Sequence, residues 1–178
     1  MKIREKSASY SNRHMLVEAH ATAKEMQKTI GAELFNAIYT FSFVRNPLDR
    51  FYSIFYYRKL VGDIDPGISF KKYACSLTKP RFRNIDSPFY KRPYYLPMCD
   101  YLMDHDNMLL VNEWFKFEQR NSALEKIREK SGMAFSETHQ ERGRSLPSYQ
   151  EFYDSESAAC VGNFYKDDFK FFSYNLPE

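Results

Sequence analysis

The chain has 178 residues, 43% of them hydrophobic and 17% aromatic, which is enough apolar material for a packed core and too much for a disordered segment. Its formal net charge of +3 is far from the dense basic stripe that nucleic-acid binding needs, yet compatible with a local basic cleft for an anionic nucleotide or glycan. Three cysteines, Cys75, Cys99 and Cys160, show no C-x-x-C spacing and argue against a disulfide framework or zinc site, and no run approaches the ~18 consecutive apolar residues of a membrane span.

Residues 1–14 are polar, carry no motif and do not form a signal peptide, so they read as a loose arm, and the chain as given is expected to be soluble and cytoplasmic. From 16 to 35, Leu16, Ala19, Ala23, Met26 and Ile30 recur at helical spacing, with Phe35 after Gly31, and predict a helix that carries His20 near its start.

Residues 39–57 read YTFSFVRNPLDRFYSIFYY. The aromatic and β-branched run at 39–44 predicts a buried strand, and Arg45-Asn46-Pro47 ends it. Pro47 suits the first position of a helix because its φ is already helical and its missing N–H has no intrahelical partner there. That helix is predicted to run to about Leu60, with Leu48, Phe51, Ile54 and Phe55 as its core stripe, Asp49 in the first turn and Gly62 allowing a stop. A helix start presents N–H groups and partial positive charge toward the strand end, where Arg45 sits, and Ser53 follows eight residues later, about two turns in. Such an arrangement suits a phosphate. Arg50 either faces the same point or pairs with Asp49 or another carboxylate. The same residues also suit an ordinary strand-turn-helix in which Arg45 pairs with a surface carboxylate and Ser53 is solvated.

Between 63 and 107 the chain is irregular, with Pro66, Pro80, Pro88, Pro93 and Pro97 and with Lys79, Arg81, Arg83, Lys91 and Arg92 among aromatic residues. A helix is predicted near 70–77 and loops elsewhere; the basic loop reads equally as a surface for an anionic sugar chain or as a solvated loop. The stretch 107–118, NMLLVNEWFKFE, predicts two strands of the same sheet, at 108–111 and 114–117. Ser122-x-x-Glu125 then reads as a capping box for a helix through about Lys130, closed by Gly132. From 154 to 174 an amphipathic pattern turns Ala158, Val161, Phe164, Tyr165, Phe169 and Phe172 inward. The expected architecture is one α/β domain over residues 1–178, a small parallel sheet flanked by helices.

The segment VRNPLDRFYS resembles the 3′-phosphate-binding segment of sulfotransferases that use 3′-phosphoadenosine 5′-phosphosulfate, specifically the membrane-type carbohydrate sulfotransferases and their bacterial relatives. Phe117-Glu118, the stretch THQERGRSLPSYQEFY and the ending DDFKFFSY are similar to later elements of that family, and FYYRKLVGD resembles members acting on uronic-acid-containing glycans. The resemblance implies a P-loop-like core, a phosphosulfate nucleotide as cosubstrate and a carbohydrate hydroxyl as acceptor; the mild net charge, the cysteine spacing and the lack of a long apolar run lead to the expectation of no nucleic acid, metal or membrane span in this chain. By the same resemblance, Arg45 and Ser53 grip the 3′-phosphate, Arg144 or Arg142 of the later loop contacts the nucleotide, His20 is the general base, and Glu118 holds a structural hydrogen bond near the site. A histidine suits proton acceptance because its unperturbed pKa is close to working pH.

The family also has a PKTGGTS-type loop upstream, whose Lys and amides hold the 5′-phosphosulfate. Lys6-Ser7-Ala8-Ser9 lacks its glycines and a preceding apolar strand. The expectation is therefore an N-terminally incomplete core, compatible with a membrane-anchored parent. Two functions follow from it: transfer of a sulfuryl group to a carbohydrate hydroxyl, or a non-catalytic module that binds a 3′-phosphonucleotide or an anionic glycan.

Overall fold

The structure is a computed structural model that describes residues 20–79, 93–132 and 148–175. The predicted loose arm, most of the basic loop, and Arg142 and Arg144 of the later loop lie outside the described residues.

Thr22 opens the first helix, α1 (Ala23–Ile30), through a capping box in which its side chain accepts from the Glu25 amide and the Glu25 carboxylate accepts from the Thr22 amide. Gly31, at φ 88°, then breaks the run and α2 (Ala32–Ala37) follows. From residue 20 on, the single helix predicted over 16–35 is two short ones, residues 16–19 lying outside the described residues, and His20 precedes them in a turn at φ 70°. Strand β1 (Phe41–Val44) leads into α3 (Pro47–Leu60), whose start at Pro47 and whose stop before Gly62, at φ 76°, are as predicted. Helix α4 (Phe70–Cys75) runs into a 3₁₀ turn at Ser76–Thr78, and α5 (Met98–Leu102) follows a 3₁₀ turn at Pro93–Tyr95.

Strand β2 (Glu113–Lys116) pairs with β1 in parallel, with Phe41 opposite Glu113 and Val44 opposite Lys116. The strand predicted at 108–111 does not join this sheet. Those residues fold back on α5 instead: the Leu110 amide donates to the Leu102 carbonyl at 2.8 Å, and Leu109 bridges Met103 in antiparallel fashion. After a 3₁₀ turn at Phe117–Gln119 comes α6 (Arg120–Ser131), which ends at Gly132 in the left-handed conformation. Ser122 lies inside its first turn and donates to the Gln119 carbonyl, so the predicted capping box at Ser122 is not its start. The tail forms α7 (Ser155–Phe164) and α8 (Lys166–Phe171).

Two apolar clusters hold these elements. One gathers Phe51, Tyr52 and Phe55 of α3 with Phe70 and Tyr73 of α4 and with Tyr165 and Phe169. The other surrounds Val44 at the end of β1 with Ala23, Phe35, Met98, Leu102, Val111 and Phe172. Asp168, fully buried on α8, links the tail to α5 by accepting from the Met98 and Cys99 amides, both at 2.8 Å. A helix start buried in the core needs such an acceptor, and Pro97, which occupies the cap position, has no side chain to offer one. The architecture is the expected α/β one, a small parallel sheet flanked by helices. Among the described residues no helix is long and apolar enough to cross a membrane.

Candidate functional site

Because β1 and β2 are parallel, their carboxyl ends open at the same edge, and the residues that leave them lie side by side. Arg45-Asn46 from β1 meets Phe117-Glu118 from β2. The Arg45 guanidinium stands 5.5 Å from the centre of the Phe117 ring, and the Arg120 guanidinium lies 5.6 Å from the same ring. The Asn46 amide donates to Glu118 Oε1 at 2.8 Å, while the Tyr174 hydroxyl donates to Glu118 Oε2 at 2.8 Å. Glu118 therefore ties the tail to both strand ends. Burial, and then the Glu118 carboxylate, push the Tyr174 hydroxyl pKa well above its ordinary value and keep it a donor.

The start of α3 has few amides to spare. Pro47 has none, the Leu48 amide donates to Asn46 Oδ1 at 2.9 Å, and the Arg50 amide donates to the Asn46 carbonyl at 2.8 Å. Among the described residues, that leaves the Asp49 amide as the unpartnered donor of the first turn. Arg45 is engaged as well: its Nε and Nη2 donate to the two Asp49 carboxylate oxygens at 2.6 and 2.8 Å. Asp49 was read as a complement to the helix dipole; it is also the partner of Arg45, as their i, i+4 spacing permits.

Arg50 neither meets Asp49 nor stands free. Its Nη2 donates to the Leu96 carbonyl at 2.8 Å and to the Tyr94 carbonyl at 3.2 Å, and its guanidinium lies 5.6 Å from the Tyr165 ring centre. Its Nη1 is buried with no partner among the described residues.

A cleft of about 460 Å³ opens beside β1, lined by His20, Arg45 and Arg50 together with apolar side chains that include Phe41, Phe43, Ile54 and Tyr101. An adjoining hollow of about 400 Å³ is lined by His20, Ser53, Ile54, Tyr57 and Tyr94. His20 thus borders both spaces, edge-on to Tyr94 with ring centroids 5.4 Å apart. The structure brings His20 and Arg45 to one cleft and His20 and Ser53 to the next; Arg144 lies outside the described residues. Nothing in the local sequence marks Tyr94, which reaches His20 and Arg50 only through the fold. Phe117 could be found from its place after a strand, but its role as a platform between two arginines could not.

Among the described residues no group of three or more His, Cys, Asp or Glu side chains is arranged to hold a metal ion. Compared with known proteins, residues 1–107 match the sequence profile of the sulfotransferase family. No curated protein and no solved structure matches the chain.

Proposed function

Since the chain belongs to the sulfotransferase family, we propose that it transfers a sulfuryl group from 3′-phosphoadenosine 5′-phosphosulfate to a hydroxyl of a carbohydrate, as the membrane-type carbohydrate branch of that family does. The observation that carries this reading is the position of His20, which borders both the cleft containing Arg45 and Arg50 and the hollow containing Ser53. In this reading the resemblance assigns the 3′-phosphate to Arg45, in the cleft, and to Ser53, in the adjoining hollow, with Arg144 as a further nucleotide contact. The cosubstrate supplies the activated sulfuryl group. His20 takes the acceptor's proton as the hydroxyl oxygen attacks sulfur and the sulfur–oxygen bond to the 5′-phosphate breaks. Tyr94, packed edge-on, keeps the imidazole at the junction of the two spaces.

The donor set suits an anion in part. Two arginines line the cleft at the carboxyl end of a parallel strand, and one of them keeps a buried N–H without a partner among the described residues. A phosphate bound there competes with Asp49 for Arg45.

That competition also favours a second reading. With Arg45 held twice by Asp49 and the Asn46 amide held by Glu118, the strand end is satisfied by its own side chains. This suits a non-catalytic module that binds a 3′-phosphonucleotide or an anionic glycan weakly. Calorimetry with adenosine 3′,5′-bisphosphate, followed by transfer of labelled sulfate to a panel of glycans, separates the two. Binding with transfer supports the enzyme, and binding without transfer supports the module. No binding of the bisphosphate overturns the enzyme and the nucleotide-binding module alike, and no binding of the glycans as well overturns the module that takes an anionic glycan.

A further inference from the structure

Helices α4 and α7 come from distant parts of the chain yet run side by side in the same direction. Lys71 on α4 donates to Glu156 Oε2 on α7 at 2.6 Å and to Asp154 Oδ2 at 3.0 Å. One turn further along each helix, four residues after Lys71 and four after Glu156, stand Cys75 and Cys160. Residues spaced by four share a helix face, so the ion pair sets the register that brings the two thiols together. The Cys75 sulfur lies 4.0 Å from the Glu156 carbonyl oxygen, the acceptor that an α-helix assigns to the amide of residue 160. Each thiol is partly exposed and open to a small reagent, whereas the third, Cys99, is buried.

From this register we propose that Cys75 and Cys160 are a redox pair that closes to a disulfide, joining α4 to α7 behind α3. The oxidant is a low-molecular-weight disulfide. One cysteine, as thiolate, attacks its S–S bond and releases one thiol, leaving a mixed disulfide on the protein. The second cysteine, as thiolate, attacks the protein sulfur of that mixed disulfide and releases the other thiol. Two protein thiols lose their protons and two electrons, and the reagent is reduced to two thiols. Burial, and then the hydrogen bond with Cys160, push the Cys75 thiol up to about 12, so its thiolate is scarce and the exchange is slow, as befits a bond that stabilises rather than one that turns over.

All three cysteines are free thiols in the structure, in keeping with a spacing that offers no disulfide framework. What the spacing does not show is the parallel packing of two helices that are separated in the chain by the whole of β2 and α6.

The test uses the full chain, incubated with oxidised glutathione, quenched with acid, alkylated and mapped by mass spectrometry after digestion. The expected result is a cross-linked peptide pair containing Cys75 and Cys160, loss of two of the three alkylatable thiols, and a higher melting temperature that dithiothreitol reverses. Cys99→Ser keeps the cross-link, and Cys160→Ser stops at a glutathione adduct or a free Cys75. The proposal is overturned if both thiols of the wild-type chain are alkylated after oxidation, if each carries its own glutathione, or if Cys99 is the cross-linked partner. The wild-type peptide map decides the matter even where a variant fails to fold.

Discussion

The two faces of α3 are built on different principles. One face sends Phe51, Tyr52 and Phe55 into a cluster of rings, where Phe51 alone meets Tyr73, Phe70 and Tyr165 at centroid distances of 5.4, 6.0 and 6.5 Å. Even its charged member is enclosed: Arg58 is 3% exposed, donates to the Tyr95 hydroxyl, and lies over the Tyr95 ring, while Tyr73 and Tyr95 share a second hydrogen bond. The other face carries Arg50 toward the cleft and Ser53 toward the adjoining hollow, and the helix start holds Asp49 on Arg45, where a polar contact can be exchanged for one to a ligand. Ring packing has no such alternatives, because a lost ring leaves a void with no atoms to fill it. The contrast separates what holds α3 in place from what α3 presents, and each side can be broken without the other.

The largest effect belongs to the ring face. Phe51→Ala is expected to destabilise the fold by about 3–5 kcal/mol, the range for deleting a buried aromatic side chain. Urea unfolding followed by fluorescence checks it. A loss below 1 kcal/mol would mean that the cluster collapses around the gap and that the two faces are less distinct than their geometry says.

How much of this was legible in the sequence follows the same division. Helix α3 was readable from Asn46, Pro47 and Gly62 because caps and stops are local, and the inward residues of the tail were readable from their period. Thr22-x-x-Glu25 carried an equally local signal that a reading by apolar spacing alone passed over. Residues 108–111 have the composition of a strand, but strand pairing is settled by what lies alongside, and there it is α5 that lies alongside. The polar links at the candidate site were the least legible. Asp168 capping α5, Glu118 holding the Asn46 amide and Tyr94 meeting His20 all join residues far apart in sequence, and no local pattern encodes such partners. The Arg45–Asp49 pair was within reach by its spacing, yet choosing between Asp49 and a more distant carboxylate required the rotamer that the Phe117 ring supports.

On the cleft face the expected changes are smaller and of opposite sign. Arg45→Ala removes a charge-assisted donor and is expected to weaken binding of adenosine 3′,5′-bisphosphate by roughly 10-fold or more, corresponding to about 1.5–3 kcal/mol. Asp49→Asn removes the competitor and is expected to tighten the same binding by a few-fold, about 0.5–1 kcal/mol, as for a partly exposed ion pair. Titration calorimetry reads both. Equal weakening by the two substitutions would assign Asp49 to orienting Arg45 for the ligand rather than competing with it, and would make this face as interdependent as the other.

The smallest effect lies at the rim of the ring face, where α7 begins. Asp154 accepts from the Ser157 hydroxyl and amide, at 2.6 and 2.8 Å, and pairs with Lys71. Those hydrogen bonds, led by the Ser157 hydroxyl, hold its carboxyl pKa well below the ordinary value of 3.8. The sign follows from linkage. A carboxylate whose pKa is lower in the folded than in the unfolded chain binds its proton less tightly when folded. The stability it adds is therefore fully present above the unfolded pKa, and is lost as the pH falls through the folded one. Asp154→Asn should leave the acid limb of the stability profile shallower below 3.8, with little change in its slope near neutrality. Because the pair is exposed to solvent, the difference should shrink further in high salt. Acid unfolding of the two proteins at low and high salt measures this directly. An unchanged acid limb would mean that Asp154 caps α7 as well when neutral, through the Ser157 contacts alone, and that the ion pair with Lys71 sets the register of the helices without stabilising them.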